Sequence, residues 1–330
     1  MRKFLNDPAD AVVESLSGFG AAHRDILRFD GEKRLIVRSG APISGKVGLI
    51  SAGGSGCEPL NGGFVGLGML DVACPGEIWT SPVPGQLMAA TALADGGAGV
   101  LQVVLNYPGE VMNFKLVALD SADDGRLVES VRVNDDVAIP DPERRRGLGA
   151  TLLVQKIAGA AAERGDDLAT VATIGRRVND RARSFGIGLS SNTPPAMGRP
   201  LFELPIGEIE IGVGISGEPG IRRESMRSAR ELATTMVEPV LADLEPAPGA
   251  DVLLLVNGLG ATPTLELYLL YGEIDRELRD AGLVPTRSLV GNFVTSLDQA
   301  GASITVLELD DELTALWDAP VNTAALRWGV

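Results

Sequence analysis

Short apolar runs alternate with longer segments of helical periodicity through the first half of the chain. Four such runs predict strands, at 35–37, 47–50, 99–105 and 128–133. Residues 147–162 and 168–178 are rich in Ala, Leu, Ile and Val and predict helices, the first of them buried. Alternating strands and helices indicate an α/β domain with a largely parallel sheet.

The second half has its own strands and helix. Four runs predict strands, at 209–215, 251–256, 287–291 and 303–309, and 265–281 predicts a helix. Gly, Ser and Pro concentrate between 184 and 200, which predicts a boundary there. A length of 330 residues suits two cores better than one. We therefore expect two α/β domains, 1–185 with a glycine-rich turn and 186–330, each with a mainly parallel or mixed sheet flanked by helices.

Two turns that follow predicted strands are the first candidates for a functional site. One is the glycine-rich segment 53–59, and the other is Asn-Tyr-Pro-Gly-Glu at 106–110, after which a helix is predicted to start near Met112. Ligands of open α/β sheets gather at the carboxyl ends of strands. We therefore expect the two turns to meet in one site.

Charge, apolar content and cysteine number exclude several classes of function and location. Acidic residues outnumber basic ones by 44 to 29, and the resulting net charge of −15 argues against nucleic acid or an anionic membrane as a partner. The first eight residues lack a signal-peptide pattern, and no apolar run reaches the ~18 residues of a membrane helix. The two cysteines form no disulfide framework or metal-ligand pattern. These features predict a cytoplasmic protein.

Two segments match nucleotide-binding motifs, but the residues that follow each of them exclude a nucleotide site. Residues 40–46 fit the start of a phosphate-binding loop, but Val47 replaces the Ser or Thr that would reach magnesium, and a strand follows. Residues 212–217 fit the dinucleotide fingerprint, but Glu218-Pro219-Gly220 follows where a helix should begin. The chain thus offers no nucleotide site of its own. It also has one histidine, His23, in a polar stretch that predicts a surface position.

Several long segments resemble the DhaK family, the substrate-binding subunits of dihydroxyacetone kinases. The segment Gly-Gly-Ser-Gly-Cys-Glu-Pro at 53–59 resembles the family's Gly-Gly-Gly-Ser-Gly-His-Glu-Pro. Asn-Tyr-Pro-Gly-Glu at 106–110 resembles Asn-Tyr-Thr-Gly-Asp, and the resemblance continues at 212–220 and 257–263. It covers essentially the whole chain.

This resemblance also implies an oligomeric state and partner proteins. It implies a homodimer with a role in glycerol metabolism, and a separate DhaL-type subunit that holds the nucleotide and magnesium. DhaM of the phosphotransferase system rephosphorylates that nucleotide in the family. The chain itself would bind no cofactor and no metal.

Four departures from the family fall at one inferred site. The family's covalent hemiaminal forms on a histidine whose place is taken by Ser216, and a second, hydrogen-bonding histidine is replaced by Cys57. Glu110 replaces the family's proton-accepting aspartate, and Leu105 replaces a lysine. The glycine-rich residues around them are kept, namely Gly53, Gly54, Ser55 and Gly56, and together with Leu105 they are the expected substrate-binding positions. We infer that the substrate cavity is retained but that the side chains expected to react with or bind the substrate have been replaced.

Three functions fit this pattern. The first is a DhaK-like phosphotransferase subunit for a small polyol or ketose-like compound, with Glu110 as general base and Cys57 as a polar contact. The second is a non-catalytic binder that reports its ligand to a regulator. The third is a different enzyme in which a helix starting at the glycine-rich turn lowers the pKa of the Cys57 thiol. Cys57 as a small buried residue and Ser216 as a plain loop hydroxyl are the structural alternatives.

Overall fold

The computed structural model describes residues 3–330, so the first two residues of the predicted N-terminal domain lie outside the described residues. It has two six-stranded sheets flanked by helices and a small three-stranded sheet. The predicted fold class, α/β with mainly parallel or mixed sheets flanked by helices, is confirmed. None of the helices in 3–330 is long and apolar enough to cross a membrane.

The first sheet is parallel in its centre. Seven strands occur in this half, β1 (Leu27–Asp30), β2 (Leu35–Arg38), β3 (Gly48–Ser55), β4 (Gly66–Leu67), β5 (Val72–Ile78), β6 (Val100–Leu105) and β7 (Val128–Val133). The sheet order is β1-β2-β5-β3-β6-β7, and the last four of these strands run parallel to one another. Buried apolar strands of this kind need helices on both faces.

Helices cover this sheet on both faces. The helices of the first half are α1 (Ala11–Ala22), α2 (Pro84–Ala94), α3 (Pro108–Asp123), α4 (Ala150–Arg164) and α5 (Leu168–Asp180). Helices α2 and α3 pack on one face through Leu87 and Phe114. Helix α4 is buried on all sides from residue 150 to 162, as its apolar sequence predicts.

The second sheet is mixed. Its strands are β8 (Ala182–Gly188), β9 (Glu208–Ile211), β10 (Arg222–Ser225), β11 (Asp251–Gly258), β12 (Val284–Gly291) and β13 (Gly301–Glu308), in the order β10-β9-β8-β13-β11-β12. Only β11 and β12 are parallel neighbours. The remaining helices are α6 (Ala229–Leu244), α7 (Thr264–Asp280) and α8 (Asp311–Asp318).

The chain crosses between the two halves more than once. The first strand of the second sheet, β8, spans the predicted boundary between 185 and 186. The last strands, β14 (Val321–Thr323) and β15 (Arg327–Trp328), return to the first half, where β14 pairs with β4. The division at 185 and 186 stays a prediction.

Among the element bounds that differ from the sequence prediction, three shape the site. Strand β3 continues through Ser55, so the glycine-rich turn proper begins at Gly56. Strand β9 ends at Ile211 because Gly212 has a φ of +74°. Helix α3 begins at Pro108, four residues before the predicted start, because proline suits the first helical position.

The phosphate-loop lookalike is a structural turn. Lys46 is buried, and its ammonium lies 2.6 Å from a carboxylate oxygen of Asp71. The acidic pair at 135 and 136 is also structural. Asp135 accepts hydrogen bonds from the N–H groups of Leu148 and Ala150, and Asp136 pairs with Arg146. These bonds account for the charges without a metal, and residues 3–330 contain no cluster of three or more metal-ligating side chains.

Candidate functional site

The two turns predicted to share a site do meet. The carboxyl end of β3 and the first turn of α3 come together, so that a Cβ atom added at Gly53 would lie 3.6 Å from a carboxylate oxygen of Glu110. The loop at 212–220, which follows β9 in the second sheet, closes over them. The site therefore lies at the junction of the two sheets.

The glycine-rich segment is shaped by close backbone contacts. A Cβ at Gly54 would lie 2.5 Å from the backbone of Trp79 and Thr80, and Gly56 has a φ of +104°. Both positions therefore require glycine. The hydroxyl of Ser55 donates to the carbonyl of Gly76 at 2.7 Å, which ties the end of β3 to β5.

Hydrogen bonds fasten the turn to the second half of the chain. The N–H of Leu297 donates to the carbonyl of Gly56 at 2.6 Å, and the hydroxyl of Thr295 donates to the carbonyl of Glu58 at 2.8 Å. The carboxylate of Glu58 in turn accepts from the N–H of Gly56. Glu58 thus stabilises the turn.

Cys57 is a buried neutral thiol. Its sulfur lies 3.3 Å from the carbonyl oxygen of Ile215 and donates to it. Burial, followed by the charges of Glu58, Glu218 and Glu110, raises the pKa of this thiol well above its ordinary value. The sequence-based idea that a helix start lowers this pKa is wrong, because no helix begins at Cys57 in the described chain. A nucleophilic thiolate is therefore disfavoured.

Ser216 lies where the resemblance places it, opposite Cys57. Its N–H donates to the carboxylate of Glu218 at 2.8 Å. Its hydroxyl lies near the thiol of Cys57 and the hydroxyl of Tyr107 without a hydrogen bond of normal geometry, and its proximity lowers the pKa of each against the larger rise from burial. The one histidine, His23, caps the end of α1 and packs on Phe19, so it cannot activate Ser216 as a nucleophile.

Glu110 is the titratable group best suited to proton transfer. It is buried in the first turn of α3, and burial raises its pKa to about 8 against a lowering by the N–H of Gly54. One carboxylate oxygen, Oε2, is buried without a hydrogen-bond partner in residues 3–330. A carboxyl group with this pKa accepts a proton in its ionised form, whose population grows as the pH rises toward 8.

Leu105 and Cys74 belong to the core. Leu105 is the last residue of β6, and its side chain is buried among apolar neighbours. The position of the family's lysine thus supplies no charge in this chain. Cys74 is likewise buried in the sheet, and burial raises its pKa.

The structure adds residues that the sequence did not single out. Trp79, Tyr107, Glu218 and Arg146 all reach the junction. A Cβ at Gly214 would lie 2.5 Å from a carboxylate oxygen of Glu218 and 2.8 Å from the guanidinium of Arg146. Tyr107 and Glu218 lie inside segments that carry the family resemblance, and this was the only signal for them.

Comparison with known proteins gives a consistent family. The Dak1 domain matches residues 17–325. The dihydroxyacetone-binding subunit DhaK of the PEP-dependent dihydroxyacetone kinase of Escherichia coli (strain K12) is 42% identical to this chain, and the alignment covers 100% of both.

Two solved structures have the same fold. The dihydroxyacetone kinase of C. freundii superposes with a TM-score of 0.88 at 32% identity, over 98% of this chain and 60% of the kinase. The dihydroxyacetone kinase operon co-activator DhaQ superposes with a TM-score of 0.90 at 28% identity, over 97% of this chain and 98% of the co-activator.

The burial of Glu110 predicts a pH-dependent stability difference. Between the ordinary carboxyl pKa and about 8, the folded chain keeps a proton on Glu110 that the unfolded chain releases. Stability therefore falls as pH rises through this window. Glu110→Gln lacks this loss, so the parent should lose at least about 1 kcal/mol more stability than the variant between pH 5 and pH 8.

Urea unfolding at pH 5 and pH 8 measures this difference. The matched control is Glu129→Gln, since Glu129 is a half-exposed residue of β7 that pairs with Arg176 at the surface. The control should not gain stability between the two pH values. Equal stability of Glu110→Gln and the parent at both pH values would show that Glu110 titrates normally.

Proposed function

The chain belongs to the Dak1 domain family, and from this premise we propose that it is the substrate-binding subunit of a dihydroxyacetone kinase-type phosphotransferase. Its substrate is a small polyol or ketose-like compound. The 42% identity to the E. coli dihydroxyacetone-binding subunit over the whole chain supports this function. The observation that carries it is the buried carboxyl of Glu110 beside the glycine-rich turn.

The proposed chemistry needs little from the protein besides position and one proton acceptor. A substrate hydroxyl gives its proton to the free oxygen of Glu110 as the hydroxyl oxygen forms its bond to phosphorus. The bond from phosphorus to the leaving oxygen of the donor breaks in the same displacement. Phosphoryl transfer of this kind depends mainly on alignment and electrostatics.

The substrate is bound differently from the covalent hemiaminal that the resemblance to the DhaK family implies. Neither the neutral thiol of Cys57 nor the hydroxyl of Ser216 is activated for attack on a carbonyl. We therefore propose that the ligand is held by hydrogen bonds alone. Cys57 and Ser216 then serve as polar contacts.

The phosphoryl donor comes from another chain in this proposal. A DhaL-type subunit would supply nucleotide and magnesium, and DhaM would recharge it, in the cytoplasm. An exposed apolar stripe on α3, the helix that begins beside the site, gives such a subunit a place to dock. The stripe consists of Met112, Leu116 and Leu119.

A second exposed apolar face supports a homodimer. It lies on α7, in the other half of the chain, and consists of Leu265, Tyr268 and Leu269, with exposures of 75%, 59% and 52%. Apolar side chains clustered on one helix face mark protein contacts. We propose that α7 joins two copies of the chain and α3 receives the nucleotide subunit.

A regulatory role is the second candidate. The co-activator DhaQ superposes on this chain as closely as the kinase does. The replacement of the family's nucleophilic histidine by Ser216 fits a protein that senses a ligand without transforming it. The transfer assay below separates the two candidates.

Phosphoryl transfer should depend on Glu110. The chain is mixed with a DhaL-type subunit and a phosphoryl donor, and phosphorylated product is measured by mass spectrometry with dihydroxyacetone, erythrulose and glycerol. Loss of the proton acceptor in Glu110→Gln should slow transfer by roughly 10²–10⁴-fold, while Glu129→Gln retains full rate. An unimpaired Glu110→Gln would remove Glu110 from the mechanism, and no transfer by the parent would favour the regulator.

The two apolar faces can be separated with matched leucine substitutions. Light scattering should give a dimer for the parent and for Leu116→Lys, and a 34.4 kDa monomer for Leu269→Lys. A charge buried in an apolar contact opposes association. A dimeric Leu269→Lys, or a monomeric Leu116→Lys, would contradict the assignment of the faces.

A further inference from the structure

Two hydrogen-bond donors are buried at the junction without partners. They are the indole N–H of Trp79 and the hydroxyl of Tyr107, and neither has a hydrogen-bond partner anywhere in residues 3–330. Buried polar groups in folded proteins are almost always bonded, so each orphan needs a reason. Oε2 of Glu110, an acceptor, is orphaned in the same region.

Trp79 is held in place by a strained backbone. It follows β5 with a φ of +51°, a left-handed conformation that is costly for a residue with a bulky side chain. The register of β5 against β3 shifts between Gly54 and Ser55, and the N–H of Trp79 then donates to the carbonyl of Ser55 at 3.0 Å. This bulge directs the indole into the junction.

Glycines on both sides make room for the indole. A Cβ at Gly56 would lie 3.2 Å from the indole nitrogen, and a Cβ at Gly217 would lie 2.8 Å from the far edge of the ring. Gly56 belongs to the first half of the chain and Gly217 to the second. The indole therefore lies between the two loops that carry Cys57 and Ser216.

The hydroxyl of Tyr107 also lies near Cys57 and Ser216, on the loops that flank the indole. The side chain precedes α3 and is partly exposed, but its hydroxyl oxygen is buried. Burial, followed by the charge of Glu218, raises the pKa of this hydroxyl well above its ordinary value. The hydroxyl of Ser216 lies nearby, but no hydrogen bond of normal geometry is formed. The donor thus points toward polar neighbours and remains free.

Resting on the proposed function, we infer that Trp79 and Tyr107 are specificity-determining residues that donate hydrogen bonds to the oxygens of a neutral three- or four-carbon polyol. The carboxyl of Glu110 would receive one of its hydroxyl protons. Hydroxyl groups both accept and donate hydrogen bonds, so they are complementary to two donors and one acceptor. A carbonyl is not required, because no activated nucleophile faces the site.

Paired conservative variants test this inference. Trp79→Phe and Tyr107→Phe keep an aromatic ring and remove only the donor. Each should weaken glycerol binding roughly tenfold, measured by calorimetry, because a bound ligand oxygen then loses its buried partner. Trp317→Phe is the control, since Trp317 packs on Trp328 in the C-terminal segment. It should bind glycerol like the parent.

Two readouts separate ligand binding from a structural role. Removing an orphaned donor should leave the melting temperature of the free protein unchanged or raised, whereas a structural donor would lower it. Glycerol should also change the tryptophan fluorescence of the parent and of Trp317→Phe, but not of Trp79→Phe.

Comparing glycerol with dihydroxyacetone shows whether the ligand is a polyol or a ketone. Glycerol should bind at least as tightly as dihydroxyacetone, which carries a carbonyl at the central carbon. Binding of dihydroxyacetone alone, no binding of either compound, or unaltered glycerol binding in both variants would each overturn the inference.

The inference and the proposed function can fail separately. Glycerol binding that depends on Trp79 and Tyr107 without phosphoryl transfer would support the inference and contradict the kinase. Transfer to dihydroxyacetone at an unchanged rate in both variants would support the kinase and contradict the inference.

Discussion

The contact between the glycine-rich turn and the second half of the chain determines the character of the site. The turn at Gly56 is bonded to Leu297, and the thiol of Cys57 is bonded to the carbonyl of Ile215. These bonds close the junction of the two sheets over the start of α3. Because the junction is closed, Glu110 is buried and its pKa rises to about 8.

The same closure explains why the replaced side chains do not restore covalent chemistry. A serine could attack a carbonyl only with a base placed to take its hydroxyl proton. No imidazole lies beside Ser216, and the carboxylate of Glu218 accepts a hydrogen bond from its backbone N–H, not from its hydroxyl. Nearby carboxylates also raise the pKa of Cys57. The site then offers the neutral hydrogen-bond donors of Trp79 and Tyr107 and the acceptor oxygen of Glu110. Such groups can bind and orient the hydroxyl groups of a substrate for phosphoryl transfer.

Much of this architecture is predictable from local pattern. The apolar runs gave β6 and β7 almost to the residue, and the rule that ligands gather at strand ends correctly brought Glu110 to the glycine-rich turn. Long-range features were not predictable. The position of Trp79 depends on a register shift between two strands, and the pKa of Cys57 depends on carboxylates up to 161 residues away in the sequence, at Glu218. The return of β14 to the first half likewise leaves no mark in local periodicity.

The most direct test of the central claim, that this site holds its ligand without a covalent bond, is a crystal structure of the protein soaked with dihydroxyacetone. We expect density for a separate molecule, or none, with a gap between the oxygen of Ser216 and the ligand's central carbon. In Ser216→His, the same soak should show an adduct if the cavity has kept its shape. Continuous density from Ser216 to that carbon in the parent would show that the ligand is bound covalently after all.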